Sequence, residues 1–497
     1  MTNEKPKKIL VVGGGTAGWM AANLIASRWN DVDICVLEST EIGIIGVGEG
    51  STPHLKFFFD AINVTESEWM PACNATYKNG ISFVNWSSVP GFESYFHPFA
   101  AQTDEFTVPT FFSNVRARIQ GHNINAHPDN YFLETYLTSQ NLGPIPAESF
   151  PFQILYGYHF DATLVGQFLA EKAVSRGVKR AFGTLTEVIQ HSDGVLTGVR
   201  LDDDSVLEAD FFIDCSGFKS LLIQGALRIS FNSFKENLFN NAAVVMPSEI
   251  SELIPPQTKS TALSSGWAWK IPLTNRFGNG YVYSNDYITP DQAETELRQH
   301  LGLIDSDVCA RHLRMKVGRA EKHWEKNCLA VGLSQGFIEP LEATALALSY
   351  ETITNFIKYY EDGHYSSKFE EIFNTEINGK FDGVRDYIVC HYKANQRKDT
   401  TYWRDNAVNT HVSDNLNKIL YLWRTSQDFA KDMHMHKLQG SYQAKSWACL
   451  LAGYGVLPPL YLSAIKSYYK PQQDMDQLAD FIRRCGLNFR QHKELLN

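Results

Sequence analysis

The chain has 497 residues, 44% of them hydrophobic, 20% charged and 13% aromatic, with a formal net charge of −10. This is a globular composition with room for two to four modules and a sizeable core. No run of Lys and Arg breaks the acidic balance, which argues against a nucleic-acid partner, and no apolar run approaches the ~18 residues that a membrane helix needs.

The N-terminus reads MTNEKPKK and lacks the long apolar region of a signal peptide, so a cytoplasmic protein is expected. Residues 8–12 (KILVV) form a short apolar run, the pattern of a strand buried on both faces of a parallel sheet. Gly13-Gly14-Gly15-Thr16-Ala17-Gly18 follows, and a helical pattern runs from Trp19 to about Ser27. A second apolar strand starts at Asp33 and ends at Glu38. The spacing is that of a dinucleotide-binding β-α-β unit. Gly13 permits the tight turn, Gly15 lets the backbone approach a pyrophosphate, and Gly18 lets helix pack on strand. The helix N-terminus offers free N–H groups to phosphate, and Glu38 is placed to accept from a ribose. The motif leaves FAD and NAD both open.

Residues 55–180 and 225–320 mix aromatic-rich loops with short strands, among them 280–283 (GYVY). Residues 207–214 (LEADFFID) read as one strand ending in Cys215-Ser216-Gly217, and 328–332 (CLAVG) as another. Glu339-Pro340-Leu341-Glu342 leads into a helical pattern from about 343 to 360, and from about 345 the chain reads as mainly helical. Ligands of open α/β sheets gather at the carboxyl ends of strands, so the strands at 8–12, 33–38, 207–214 and 328–332 are expected to converge on one cofactor. Cys35, Cys73, Cys215, Cys309, Cys328, Cys390, Cys449 and Cys485 include no CxxC pair and are expected to be reduced, buried thiols. His434 and His436, in Met433-His434-Met435-His436, lack further ligands nearby and read as surface residues; no metal site is expected.

Several blocks together resemble the flavin-dependent halogenases, particularly the tryptophan halogenases. They are GGGTAGWMAA at 13–22, GVGEGSTP at 46–53, ATYKNGISFVNW at 75–86, GWAWKIP at 266–272 and GFIEPLEAT at 336–344. YHFDATLV at 158–165 and FIDCSGFKSLLI at 212–223 also look like family segments, and the similarity runs from residue 8 to about 405. The W-x-W-x-I-P block together with a Lys in the ATYK context is the specific part.

The resemblance implies an α/β fold: an FAD-binding Rossmann-like module (GR2-type, flavoprotein-monooxygenase-like) with a mainly helical substrate module. The expected bounds are 1–345 for the first, with substrate-facing loops at about 55–155, and 346–497 for the second. It implies FAD used as FADH2 and supplied by a separate NAD(P)H-dependent flavin reductase, with O2 and a halide ion giving hypohalous acid. That oxidant would pass to Lys78 for electrophilic halogenation of a small, electron-rich aromatic substrate. A homodimer is a further expectation, and a single-component flavin-dependent aromatic monooxygenase is the alternative function.

By the same resemblance, Lys78 is the catalytic lysine, able to polarise hypohalous acid or form a haloamine. Glu342 is the active-site carboxylate that stabilises a cationic ring and takes its proton; Glu339 is the lesser candidate. Thr344 and Ala345 fall at the halide site. Trp267 and Trp269 form a barrier between flavin and substrate. His97 and Phe99 flank the substrate ring. Gly13, Gly15, Thr16, Ala17, Gly18, Glu38, Ser39, Glu49, Gly50, Leu185, Leu333 and Leu346 are the expected FAD contacts.

The sequence departs from the family at two places. Where the family commonly reads E-S-T-G-I, this chain reads Glu342-Ala343-Thr344-Ala345-Leu346. Losing the glycine restricts φ and is expected to reshape the halide pocket, with bromide or iodide used as well as, or better than, chloride. The stretch 426–447 lacks the Tyr-Tyr pair and Glu of the family's tryptophan-gripping lid. Free tryptophan is therefore expected to be a poor substrate, and simple indoles, phenols or a larger natural product better ones.

Overall fold

The computed structural model describes residues 4–39, 48–459 and 473–496. The chain groups into two compact units that interleave along the sequence. The first comprises 1–75, 160–235 and 315–382, and the second 76–159, 236–314 and 383–497. These boundaries differ from a single division at 345/346. Helix Ala345–Asp362 belongs with the first unit, where it packs on helix Thr16–Arg28.

Among its described residues, the first unit is built on a six-stranded sheet in the order Trp324–Glu325, Cys328–Ala330, Phe211–Asp214, Lys8–Val12, Asp33–Glu38, Lys179–Phe182. All its pairings are parallel except the outermost, between Trp324–Glu325 and Cys328–Ala330. The run Ile9–Val12 is buried throughout, as a strand covered on both faces must be. Leu10, Val12, Leu37, Phe212 and Ala330 pack with Leu222 and Ile223 in one apolar cluster. The first helix starts at Thr16 rather than Trp19, directly on the glycine turn. The run expected as one strand over 207–214 is two, Val206–Glu208 and Phe211–Asp214, in different sheets. Asp210 lies at the break, where its carboxylate accepts from the backbone N–H groups of Lys7 and Lys8 at 2.8 and 2.9 Å.

The second unit is organised by a seven-stranded sheet, among the described residues, in the order Arg311–Arg314, Ala242–Ser248, Phe277–Tyr283, Gly266–Pro272, Gln257–Leu263, Gly80–Val84, Ser94–Pro98. It is antiparallel except between Gln257–Leu263 and Gly80–Val84. Strand Thr76–Lys78 pairs antiparallel with 157–159. Past 383 this unit is largely helical, with helices Thr401–Val408, Asp414–Thr425, Ala444–Gly453 and Met475–Gly486.

No described helix is long and apolar enough to cross a membrane. The cysteines are all free, but Cys309 is exposed and Cys35 and Cys215 are half-buried, against the expectation of uniform burial; Cys309 follows helix Pro290–Leu301 in an irregular surface segment. His434 and His436 are exposed.

Candidate functional site

The glycine turn of the first unit is shaped for a ligand. Gly13 has φ +115°, and a Cβ there would lie 2.1 Å from the Cys215 carbonyl oxygen. A Cβ at Gly18 would lie 2.0 Å from the Gly13 oxygen, so helix and turn touch backbone to backbone. Gly15 is different: a Cβ there would meet no protein atom within 4 Å. Gly15 is also the N-cap of helix Thr16–Arg28, which has no side-chain cap and no acidic residue in its first turn. An open cradle under uncapped N–H groups fits a dinucleotide pyrophosphate.

Around this turn, Glu38 ends its strand held by Arg180, with Nε to Oε1 at 3.1 Å and a second guanidinium nitrogen to Oε2 at 2.8 Å. A bidentate pair uses two of the carboxylate's four acceptor positions and leaves two for a ribose. The Arg180 guanidinium also lies 5.7 Å from the Trp19 ring centroid and 4.9 Å from that of Phe182. The Ser39 hydroxyl lies 3.3 Å from that of Thr184. Glu49 and Gly50 are half-buried in strand Gly48–Gly50, and burial, with Asp161 nearby, pushes the Glu49 carboxyl up to about 7. Leu333 is half-buried in the turn Gly332–Ser334, and a Cβ at Gly332 would meet the Ala17 methyl at 2.6 Å, so this turn abuts the first helix. Leu185 is half-buried against the sheet's apolar cluster.

Asp214, unassigned by the sequence reading, is the fully buried end of its strand. Its carboxylate accepts from Ser216 N and Oγ, Leu222 N and Ile223 N at 2.6–3.0 Å. Burial pushes its acid up while these bonds pull it down. It thereby anchors the π-helical turn Leu221–Ala226 to the end of this strand.

Glu339 and Glu342 are both buried, Glu342 at the end of the 3-10 turn Pro340–Glu342. Ala343 then takes φ +55°, and Thr344 is the N-cap of helix Ala345–Asp362 without a side-chain cap or a first-turn acid. Ala345 is the helix's first residue and does not have positive φ. Ala345 therefore sits in helical backbone, and the left-handed residue of this segment is Ala343. Leu346 is half-buried one residue into the helix.

In the second unit Lys78 is fully buried. Its ammonium lies 5.5 Å from the Phe99 ring centroid, so the structure brings these two expected residues together. His97 is buried on strand Ser94–Pro98, its ring 6.1 Å from Tyr387 in an edge contact. Tyr387 stacks on Tyr442 with centroids 3.7 Å apart and meets Trp447 at 4.8 Å.

Trp267 and Trp269 are buried on one face of strand Gly266–Pro272, with ring centroids 6.0 Å apart. Trp269 pairs with Gly280, where a Cβ would lie 2.2 Å from the indole. The glycine is what admits so large a ring at that register.

A polar chain that sequence reasoning missed ties these motifs together. Thr76, on the lysine strand, donates to the Pro272 carbonyl at 2.8 Å and sits 3.0 Å from His159 Nδ1. His159 Nε2 is 3.0 Å from the Thr258 hydroxyl. Since the Thr76 proton goes to Pro272, Nδ1–H donates to Thr76 and Nε2 accepts from Thr258. Burial, then the Lys78 charge, hold His159 well below its usual range, so it is neutral. His492, near the end of the chain, accepts the Tyr77 N–H at 3.2 Å and pairs through Nδ1 with the Ile254 carbonyl at 2.7 Å.

Comparison with known proteins agrees with this layout. The family model for tryptophan halogenase matches residues 8–468. The 7-chloro-L-tryptophan 6-halogenase KtzR of a Kutzneria species is 34% identical over 475 residues, covering 90% of each chain. Among solved structures, the tryptophan 6-halogenase SttH of Streptomyces toxytricini superposes with a TM-score of 0.86 at 32% identity, covering 98% of this chain and 99% of that one. BrvH, a flavin-dependent halogenase from Brevundimonas sp. BAL3, gives 0.83 at 30% identity, covering 99% of each. The chain therefore belongs to the tryptophan halogenase family and is a flavin-dependent halogenase.

Proposed function

We propose that this enzyme halogenates an electron-rich aromatic compound other than free tryptophan, through Lys78. The observation that carries this reading is the fully buried lysine with its ammonium 5.5 Å from the Phe99 ring, beside a neutral histidine. A buried ammonium polarises the O–X bond of hypohalous acid far better than a solvated one. The ring attacks the halogen, a C–X bond forms as O–X breaks, the hydroxide takes a proton to leave as water, and the ring loses its proton.

Gly13, Gly15, Thr16, Ala17, Gly18, Glu38, Ser39, Glu49 and Gly50 would hold FAD, with Leu333 and Leu346 toward its ring and Leu185 a lesser contact. Reduced FAD, supplied by a separate NAD(P)H-dependent reductase, furnishes hypohalous acid from O2 and halide when bound. Thr344 and the Ala345 amide, at the uncapped start of an 18-residue helix, suit the halide. Glu342 is the proton acceptor for the ring. Trp267 and Trp269 keep the arene from the flavin, and His97 and Phe99 face the arene. Bromide and iodide, more easily oxidised than chloride, are used as well as chloride or in preference to it.

The test is a mass-spectrometric screen with FAD, NADH, a generic flavin reductase and bromide, against indoles, phenols and free tryptophan. The expected result is a brominated indole or phenol that disappears with Lys78→Ala, and little bromotryptophan. Bromination that survives Lys78→Ala would remove the lysine from the mechanism. Hydroxylated product would favour the single-component monooxygenase instead.

A further inference from the structure

We propose that Lys445 is a positioning residue whose half-buried ammonium holds Phe99 in register with Lys78. The proposal rests on the reading of Phe99 as a residue that faces the arene.

Phe99 lies just beyond the end of strand Ser94–Pro98, so its backbone groups need partners outside the ladder. Its N–H donates to the carbonyl of Asn79, the residue after Lys78, at 3.2 Å. Its carbonyl accepts from Lys445 Nζ at 3.1 Å. One bond thus ties Phe99 to the lysine strand, and the other ties it to helix Ala444–Gly453.

The ammonium is itself fixed. It donates to Asp104 Oδ2 at 2.6 Å and lies 5.1 Å from the Phe132 ring centroid. The same Asp104 oxygen accepts from Ala101 N at 3.1 Å, closing the turn that follows Phe99. Glu134 completes the cluster: it is fully buried, and neither carboxyl oxygen has a hydrogen-bond partner among the described residues. Burial and the Asp104 charge push its acid well above the usual range. Asp104 is the carboxylate that hydrogen-bonds the Lys445 ammonium, and Glu134 is the second acid beside it. A charged donor in such surroundings makes a stronger and more directional contact than an apolar side chain would, which suits a strut.

Lys445 lies in the stretch 426–447, where the sequence departs from the family's tryptophan-gripping lid. In this chain the same stretch supplies a brace for the aromatic wall.

The experiment places 4-fluorophenylalanine at position 99 and records its fluorine NMR signal in the full-length protein. Lys445→Met, Lys445→Arg and the charge-balanced pair Lys445→Met with Asp104→Asn are compared. The pair removes both charges and so avoids an unpaired buried carboxylate. In parallel, bromination of an accepted arene is measured against bromination of a small, freely diffusing diketone trap. The expected result is a shifted or split resonance in both Met-containing variants. Arene product is expected to fall about tenfold relative to trap product, as displacement of a positioning group does. Lys445→Arg restores both. An unchanged resonance would overturn the proposal. So would arene and trap products falling in proportion, or loss of folding in all three variants, since either would make Lys445 merely structural. If the parent enzyme brominates nothing, the proposed function fails on its own, and the resonance still decides the role of Lys445.

Discussion

The Thr76 hydroxyl donates to the Pro272 carbonyl at 2.8 Å, joining the strand that carries Lys78 to the strand that carries Trp267 and Trp269. His159 sits behind that bond with both ring nitrogens engaged by threonines. Replacing it by leucine leaves the Thr76 and Thr258 hydroxyls short of a buried partner. We expect His159→Leu to lower unfolding free energy by about 1–3 kcal/mol, and His159→Gln by less. Urea unfolding checks this, and an unchanged midpoint in the leucine variant would count against the chain.

The buried histidines set an acid limit. Burial holds His323 at about 3 and His492 at about 4, and His159 and His391 lie well below the usual 6.5. Each has a folded value below its unfolded one, so the unfolded chain binds more protons below pH 6.5. Their contribution is complete above 6.5 and is lost as pH falls toward 3–4. Urea midpoints are therefore expected to drop between pH 6.5 and 5 more steeply in the parent than in His323→Asn.

Glu49 acts in the opposite direction. Its folded value is about 7 against 4.5 unfolded, so its contribution is present below 4.5 and lost as pH rises through 7. Glu49→Gln should match the parent near pH 4.5 and exceed it by about 1–3 kcal/mol at pH 8. Equal stability of the two proteins at pH 8 would refute the assignment.

The helix start at 343–345 predicts opposite signs for two glycine substitutions. Ala343 holds φ +55° and ψ 37°, a left-handed conformation that costs an L-residue roughly 1–2 kcal/mol. Ala343→Gly should stabilise by up to about 1 kcal/mol, and Ala345→Gly, inside the helix, should destabilise by about 0.5–1 kcal/mol. Halide competition with Ala345→Gly should give the parent's product ratios, because alanine does not strain the backbone there.

Gly280 is expected to tolerate no side chain. A methyl there would lie 2.2 Å from the Trp269 indole, so Gly280→Ala should displace that ring and cost about 1–3 kcal/mol. A wild-type urea midpoint and unchanged tryptophan emission would show that the strand yields instead.

The opening β-α-β unit was legible because its signals are local: an apolar run, a glycine spacing and an acid within the first 38 residues. The residues that support the site were not. Asp214, Arg180, His159 and Lys445 acquire their roles from partners brought together by the fold. His159 lies 83 residues from Thr76, and Lys445 lies 346 from Phe99. The stretch 207–214 misled for a related reason: its apolar content is continuous, but Asp210 is taken up by the Lys7 and Lys8 amides, which divides it. The GVGEGSTP block falls partly outside the described residues, at 46–47.

The sheet of the first unit also has a history as the chain is made. Lys8–Val12 sits between Asp33–Glu38 and Phe211–Asp214. One of its edges is met within a few dozen residues, but the other only after about 200. At about 5–20 residues per second, that is roughly 10–40 s on the ribosome with an apolar strand unpaired on one side. Cooler expression and a chaperone that shields nascent strands should raise the soluble yield. A chain stopped before Phe211 should aggregate through that open edge.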